Sequence, residues 1–394
     1  MSHSIDTLPE PDDAAKSRSR ALCDCIVSAC EAHGGSIAFS TYMQMALYQP
    51  GLGYYSGGLQ KFGEAGDFIT APETSSLFSR CVARQVAQVI AALEQADVME
   101  FGAGSGAMAA DVLLELEQLQ QLPERYYVVE LSAELRERQQ QTMLDKAPHL
   151  LAKVHWLDEL PSQPIQGVIL ANEVLDAMPV ECFCIHDGAV EQLRVAANNH
   201  ELSTTLVKAD DDFVDQVRTV EQRRQQNFGN GYCSEFNPAI NAWLAGLYAV
   251  LQKGMVLLID YGYPVKEYYL EERSSGTLVC HYQHRAHADP LWYPGLQDIT
   301  AFVDFTAVAH AAVDAGFAVS GYTSQAMFLM GCGLAELHQS LMSEEPRQQL
   351  LLAQQVKTLT LPSEMGERFK AIALTRDVDL PLVGFALSDY RNRL

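Results

Sequence analysis

Short apolar runs alternate with amphipathic stretches through the middle of the chain. Asp97–Phe101 (DVMEF), Tyr126–Val129, Val154–Leu157, Gly167–Ala171 (GVILA) and Met255–Ile259 (MVLLI) each read as a strand. Each run leads into a glycine or a polar residue: Gly102, Glu130, Asp158, Asn172 and Asp260. After the first run, Ala109, Val112, Leu113 and Leu116 recur at i, i+3, i+4 and i+7, the spacing of an amphipathic helix. Apolar strands separated by helices predict an α/β fold with a parallel sheet covered on both faces. In such sheets ligands bind beyond the carboxyl ends of the strands.

The flanks carry other patterns. Residues 20–32, 40–47 and 75–93 read as helices, the first stopped by Gly34-Gly35 and the second by Pro50-Gly51. Cys182–Ile185, Val190–Val195 and Leu202–Val207 are spaced by Asp187-Gly188 and Asn198-Asn199, which predicts an antiparallel meander. Helices near 212–226 and 237–252 follow it. Phe317–Tyr322 and Phe369–Thr375 read as two late strands around a helical excursion at 326–358. A hairpin of these two would complete a seven-stranded sheet. The expected division is a flexible tail at 1–20, a helical N-terminal cap at 21–95 and a Rossmann-like core at 96–181. An inserted substrate-side subdomain at 182–245 and the remainder of the core at 246–394 complete it.

Composition narrows the classes. The chain has 394 residues, 48% of them hydrophobic, which excludes a disordered or disulfide-stapled mini-protein. No run approaches the roughly 18–20 apolar residues of a membrane span. The N-terminus lacks a basic-then-apolar signal, so a cytoplasmic location is expected. Fifty acids against 27 bases give a net charge of −23, which argues against nucleic-acid binding. The local cluster Arg218, Arg223 and Arg224 reads as a solvated helix face. The nine cysteines include no CxxC pair and are expected to be reduced thiols packed as small hydrophobes.

Glu100-Phe-Gly102-Ala103-Gly104-Ser-Gly106 sits at a strand end and opens a helix. Glycines there allow a tight turn and close backbone approach by a ligand. Glu130, 28 residues after Gly102, ends the next strand, where a carboxylate can accept from two ribose hydroxyls. Two nucleoside ligands fit. S-adenosylmethionine matches an acid followed by GxGxG. A nicotinamide dinucleotide matches Gly102-x-Gly104-x-x-Ala107.

Six segments taken together go further. They are Gly66-Asp-Phe-Ile-Thr-Ala-Pro-Glu73, the EFGAGSG loop, Val128-Val-Glu-Leu-Ser132, Ala171-Asn-Glu-Val-Leu-Asp-Ala-Met-Pro-Val180, Leu258-Ile-Asp-Tyr-Gly262 and Gln297-Asp-Ile-Thr-Ala-Phe-Val-Asp-Phe305. In this order, over roughly residues 35–325, the chain resembles the MidA family of S-adenosylmethionine-dependent methyltransferases. The mitochondrial members are complex I assembly factors that dimethylate an arginine of a complex I subunit. The resemblance implies a class I methyltransferase sheet, S-adenosylmethionine as cofactor and a protein substrate, with a respiratory-complex subunit as the acceptor by analogy. It implies that Thr70, Glu100, Gly102, Ala103, Gly104, Gly106, Glu130, Leu131, Asp158, Ala171 and Asn172 surround the cofactor. No nucleic acid and no metal are expected; a homodimer is compatible with the sequence.

An arginine acceptor has a pKa above about 12 and is a poor nucleophile until charge is drawn from the attacking nitrogen. Carboxylates do this through charge-assisted hydrogen bonds. Glu173 and Asp176 lie three apart and share a face if their segment turns helically, which makes them the first catalytic candidates. Glu73 is the second choice. His281, His284 and His287 have i, i+3, i+6 spacing, which suggests metal binding on a helix, but Pro290 and Pro294 argue for a loop, either lining the substrate or simply packed. Three rival functions stay open: a small-molecule O- or N-methyltransferase, a nicotinamide-dependent oxidoreductase, and a cofactor-binding assembly factor without turnover.

Overall fold

The computed structural model describes residues 8–57, 70–198, 201–342 and 345–394. Gly66–Ile69 of the GDFITAPE segment, Asn199 of the second expected turn and residues 343–344 of the excursion lie outside the described residues. Two compact units divide the chain. One comprises Ile69–Leu175, Asn241–Gly262 and Phe305–Leu394; the other comprises Met1–Phe68, Asp176–Ile240 and Tyr263–Asp304.

The first unit is built on seven strands: β1 (Asp97–Phe101), β2 (Tyr126–Val129), β3 (Val154–Leu157), β4 (Ile165–Asn172), β5 (Leu251–Tyr263), β6 (Ala318–Ser324) and β7 (Phe369–Arg376). Their order across the sheet is β3-β2-β1-β4-β5-β7-β6. The first five run parallel, and β7 lies antiparallel to both neighbours. Val98, Val168, Leu257 and Ala371 on the strands pack with Val86 and Leu113 from the helices Ser76–Ile90 and Ala107–Gln118, all buried. Each of the buried valines and leucines contributes about 1.5–3 kcal/mol. The chain leaves β1 towards β2 and leaves β4 towards β5 on the other side. Neighbouring β1 and β4 therefore form the topological switch point, where open α/β sheets hold ligands.

The other unit carries a five-stranded antiparallel sheet. Ser36–Ala38, Ala189–Asn198, Glu181–His186 and Cys233–Phe236 lie in that order, and Glu201–Lys208 pairs with Ala189–Asn198. The meander therefore forms, its first turn at Asp187 (φ 49°) and Gly188 (φ 78°), both left-handed as a two-residue hairpin requires. Helix Asp13–Ala32 contributes Leu22, Ile26 and Cys30 to a core shared with Ile37, Val180, Val195 and Ile299.

Several expectations are corrected. Asp12 caps the first helix by accepting from Ala15 N at 2.7 Å, so helix begins inside the expected 1–20 tail. Residues 70–95 belong with the sheet rather than with an N-terminal cap, and 263–304 belong with the meander rather than with the core. Cys184 and Cys233 form a disulfide, because they face each other in register on adjacent strands with Cα atoms 4.1 Å apart. Arg224 is buried over the Phe228 ring and donates to Asn227 O at 3.2 Å, so it is no solvated residue. The histidine segment is a hairpin, Val279–Tyr282 against Arg285–His287, turned at Gln283 and His284 with φ of 46° and 60°. Strand geometry removes the common helical face that metal binding would use, and no metal-ligating cluster occurs among the described residues.

Candidate active site

The loop after β1 carries three left-handed glycines: Gly102 (φ 65°), Gly104 (φ 54°) and Gly106 (φ 84°). A Cβ on Gly102 would lie 2.8 Å from Val174 Cγ2, and one on Gly106 would lie 2.9 Å from Gln139 Cα. Side chains at these points would strain the backbone and press the loop off its neighbours. Gly106 is the N-cap of helix Ala107–Gln118, so the loop offers backbone N–H groups at a helix start. Ala103 is buried within the loop. Thr142 Oγ1 straps it by donating to Ser105 O at 2.6 Å.

At the tip of β2, Glu130 Oε1 accepts from Ser132 N at 2.8 Å and Oε2 from Gln139 Nε2 at 3.1 Å. Leu131 beside it is 77% exposed, an apolar surface suited to a flat ring. Arg136 joins the tips of β2 and β3, donating to Glu130 O at 2.7 Å and pairing with exposed Asp158. Glu100 is placed differently from the expectation. Its carboxyl is buried and accepts from Tyr126 OH at 2.6 Å, inside the sheet rather than on a ligand. Burial raises its pKa to about 7, and the tyrosine bond only partly offsets this.

The tip of β4 is the most constrained part. Ala171 pairs with Phe101 and Leu258, the neighbours on either side. Asn172 is 8% exposed, and its Oδ1 has no hydrogen-bond partner among the described residues. Its Nδ2 donates to Glu173 Oε1 at 3.1 Å. Glu173 has φ of 53°, a left-handed conformation that costs a non-glycine residue about 1–2 kcal/mol. Such strain persists where surrounding contacts hold it. Here Glu173 N donates to Ile259 O at 2.9 Å. Asp260, fully buried on β5, accepts from Val174 N at 3.1 Å and Leu175 N at 2.9 Å through Oδ2, and from Tyr261 N at 2.9 Å through Oδ1. The helix that would align Glu173 with Asp176 therefore does not form. Asp176 is buried in the other unit, where its carbonyl accepts from Ala301 N at 3.0 Å.

Thr70 is the N-cap of the short helix Ala71–Thr74, and Ala71 N donates to Glu173 Oε1 at 3.3 Å. Glu73 on this helix accepts from Ser105 Oγ of the glycine loop. That contact ties Glu73 to the glycine loop. Sequence reasoning missed Gln139 and Asp260 as site residues. For Asp260 a signal was present, an acid ending an apolar strand; for Gln139, inside a polar helix, there was none.

The donor set suits S-adenosylmethionine: a glycine cradle, a ribose-ready carboxylate at the next strand tip, and an orphaned polar oxygen on Asn172. The comparisons agree. The model of the S-adenosyl-L-methionine-dependent methyltransferase family matches residues 81–323. The chain is 30% identical to "Protein arginine methyltransferase NDUFAF7 homolog, mitochondrial" of Drosophila melanogaster, over 89% of this chain and 86% of that one. It is 27% identical to the Homo sapiens protein arginine methyltransferase NDUFAF7, mitochondrial, over 86% and 80%. A crystal structure from Burkholderia thailandensis bound to S-adenosyl-homocysteine is 41% identical, with TM-score 0.93, over 98% of this chain and 100% of that one. The glycine loop and the strand-tip acid that left two nucleotide cofactors open thus sit in a chain that belongs to the MidA family of S-adenosylmethionine-dependent methyltransferases.

Proposed function

We propose that this methyltransferase acts on the guanidinium of an arginine side chain in a protein, with a respiratory-complex subunit as the first acceptor to test. The supporting observation is its 30% identity, across 89% of its length, with a relative named a protein arginine methyltransferase. The structure adds a carboxylate carried on left-handed backbone, Glu173, at the switch-point tip of β4. S-adenosylmethionine, when bound, supplies an electrophilic methyl group on a sulfonium. In this reading the glycine loop and Glu130 hold the donor, and Glu173 holds the acceptor guanidinium. A carboxylate bonded to the guanidinium localises positive charge away from the attacking nitrogen, and positioning supplies much of the remaining barrier reduction. Glu173 is itself oriented by Asn172 and Ala71 N, and its backbone by Ile259 and Asp260.

The test is transfer of a labelled methyl from S-adenosylmethionine into proteins of the host lysate by the purified enzyme. Label recovered as methylarginine supports the proposal. Label confined to small molecules, or to another side chain, overturns it.

A further inference from the structure

We propose that Gln139 is a positioning residue of the cofactor site, which sets the Glu130 carboxylate in register with the glycine loop; this rests on the assignment of Glu130 to the ribose. Gln139 is 1% exposed on helix Ala133–Lys146. Its Nε2 donates to Glu130 Oε2 at 3.1 Å and to Gly104 O at 3.1 Å. Its Oε1 accepts from Trp156 Nε1 at 2.9 Å. An indole N–H can only donate, so Trp156 decides which end of the amide is oxygen. Nε2 is then directed at two acceptors, one on the loop after β1 and one at the tip of β2. A single side chain thus couples the two elements that hold opposite parts of the cofactor.

The same helix explains the third glycine of the motif. Gln139 Cα would lie 2.9 Å from a Cβ at position 106, so glycine there lets the helix carrying Gln139 approach the loop. One turn further on, Thr142 donates to Ser105 O at 2.6 Å and fixes that approach. With Ser132 N on Oε1 and Gln139 on Oε2, both Glu130 oxygens are oriented. Charge-assisted hydrogen bonds of this kind set direction as well as energy.

The test is calorimetric binding of S-adenosyl-homocysteine from pH 5.5 to 8.5, with thermal unfolding of every variant as a folding control. Gln139→Met keeps the approximate volume and removes all three bonds; it is expected to weaken binding about tenfold at every pH. Gln139→Glu is the decisive variant. At pH 8.5 two carboxylates face each other and binding falls at least about tenfold. As the pH drops, the introduced acid takes up a proton, donates to Glu130 as the amide did, and affinity returns towards wild type. Arg136, beside this point, donates to Glu130 O and pairs with Asp158. Trp156→Phe removes the donor that fixes the amide and is expected to weaken binding several-fold. Wild-type affinity in Gln139→Met and Trp156→Phe, with a loss in Glu130→Ala, overturns the positioning role and keeps the ribose assignment. Wild-type affinity in Glu130→Ala overturns the ribose assignment itself. A loss in Gln139→Glu that is the same at every pH shows packing rather than hydrogen bonding and also overturns the proposal.

Discussion

Glu173→Gln separates chemistry from cofactor binding. Glu173 Oε1 accepts from Ala71 N at 3.3 Å and from Asn172 Nδ2 at 3.1 Å. A glutamine carbonyl oxygen can take both bonds, and the left-handed backbone is held by Ile259 and Asp260 whatever the side chain. The substitution therefore removes charge with little change of shape. A guanidinium about 4 Å from a carboxylate, at an effective dielectric of about 20, gains roughly 4 kcal/mol. Loss of one transition-state electrostatic partner typically costs about 2.7–4 kcal/mol, or roughly a hundred- to a thousandfold in turnover. The assay is single-turnover transfer beside calorimetric binding of S-adenosyl-homocysteine on the same preparations. Turnover is expected to fall by that factor while cofactor affinity stays within about twofold. Full turnover would refute the role of Glu173 in charge stabilisation. A parallel loss of cofactor affinity would make Glu173 part of the donor site.

Gly104→Val should abolish cofactor binding in a folded protein, because a β-branched residue is forced into φ of 54° on the loop; calorimetry with unchanged affinity refutes this. Asp260→Asn keeps the volume but turns an amide against one of three backbone donors; a stability loss of about 1.5–3 kcal/mol and a lower kcat are expected by urea unfolding and transfer assay. Glu100 predicts a pH effect. Its carboxyl is raised from 4.5 to about 7, so the folded chain keeps a proton that the unfolded chain loses. Stability from this group is fully present below pH 4.5 and falls as the pH rises towards 7, by about 3 kcal/mol in all. Glu100→Gln should remove that slope from urea titrations between pH 5 and 7, and an unchanged slope refutes the assignment.

The sheet was legible because strands buried on both faces must be apolar throughout, and MVLLI or GVILA has few other readings. The glycine loop and Glu130 were legible because backbone conformation and strand-end position demand those residue types. Other features depend on partners distant in sequence. Ser36–Ala38 is a strand because Ala189–Asn198 lies beside it, and Cys233 finds Cys184 across 49 residues. The helical turn that would align Glu173 with Asp176 does not form: Glu173 is left-handed, with φ of 53°, and the amides that follow it, Val174 and Leu175, bond to Asp260 some 85 residues on. At the histidines the nearby prolines were the better guide: i, i+3, i+6 spacing has meaning on a helix, and the segment is a hairpin.

The most direct measurement is incubation of the purified enzyme with methyl-labelled S-adenosylmethionine and host proteins, followed by acid hydrolysis and separation of methylated amino acids. Glu173→Gln serves as the matched control. Label in methylarginine with the wild type, falling at least about a hundredfold with the variant, is the predicted result. Label in any other amino acid, or equal label from both enzymes, would contradict an arginine methyltransferase centred on Glu173.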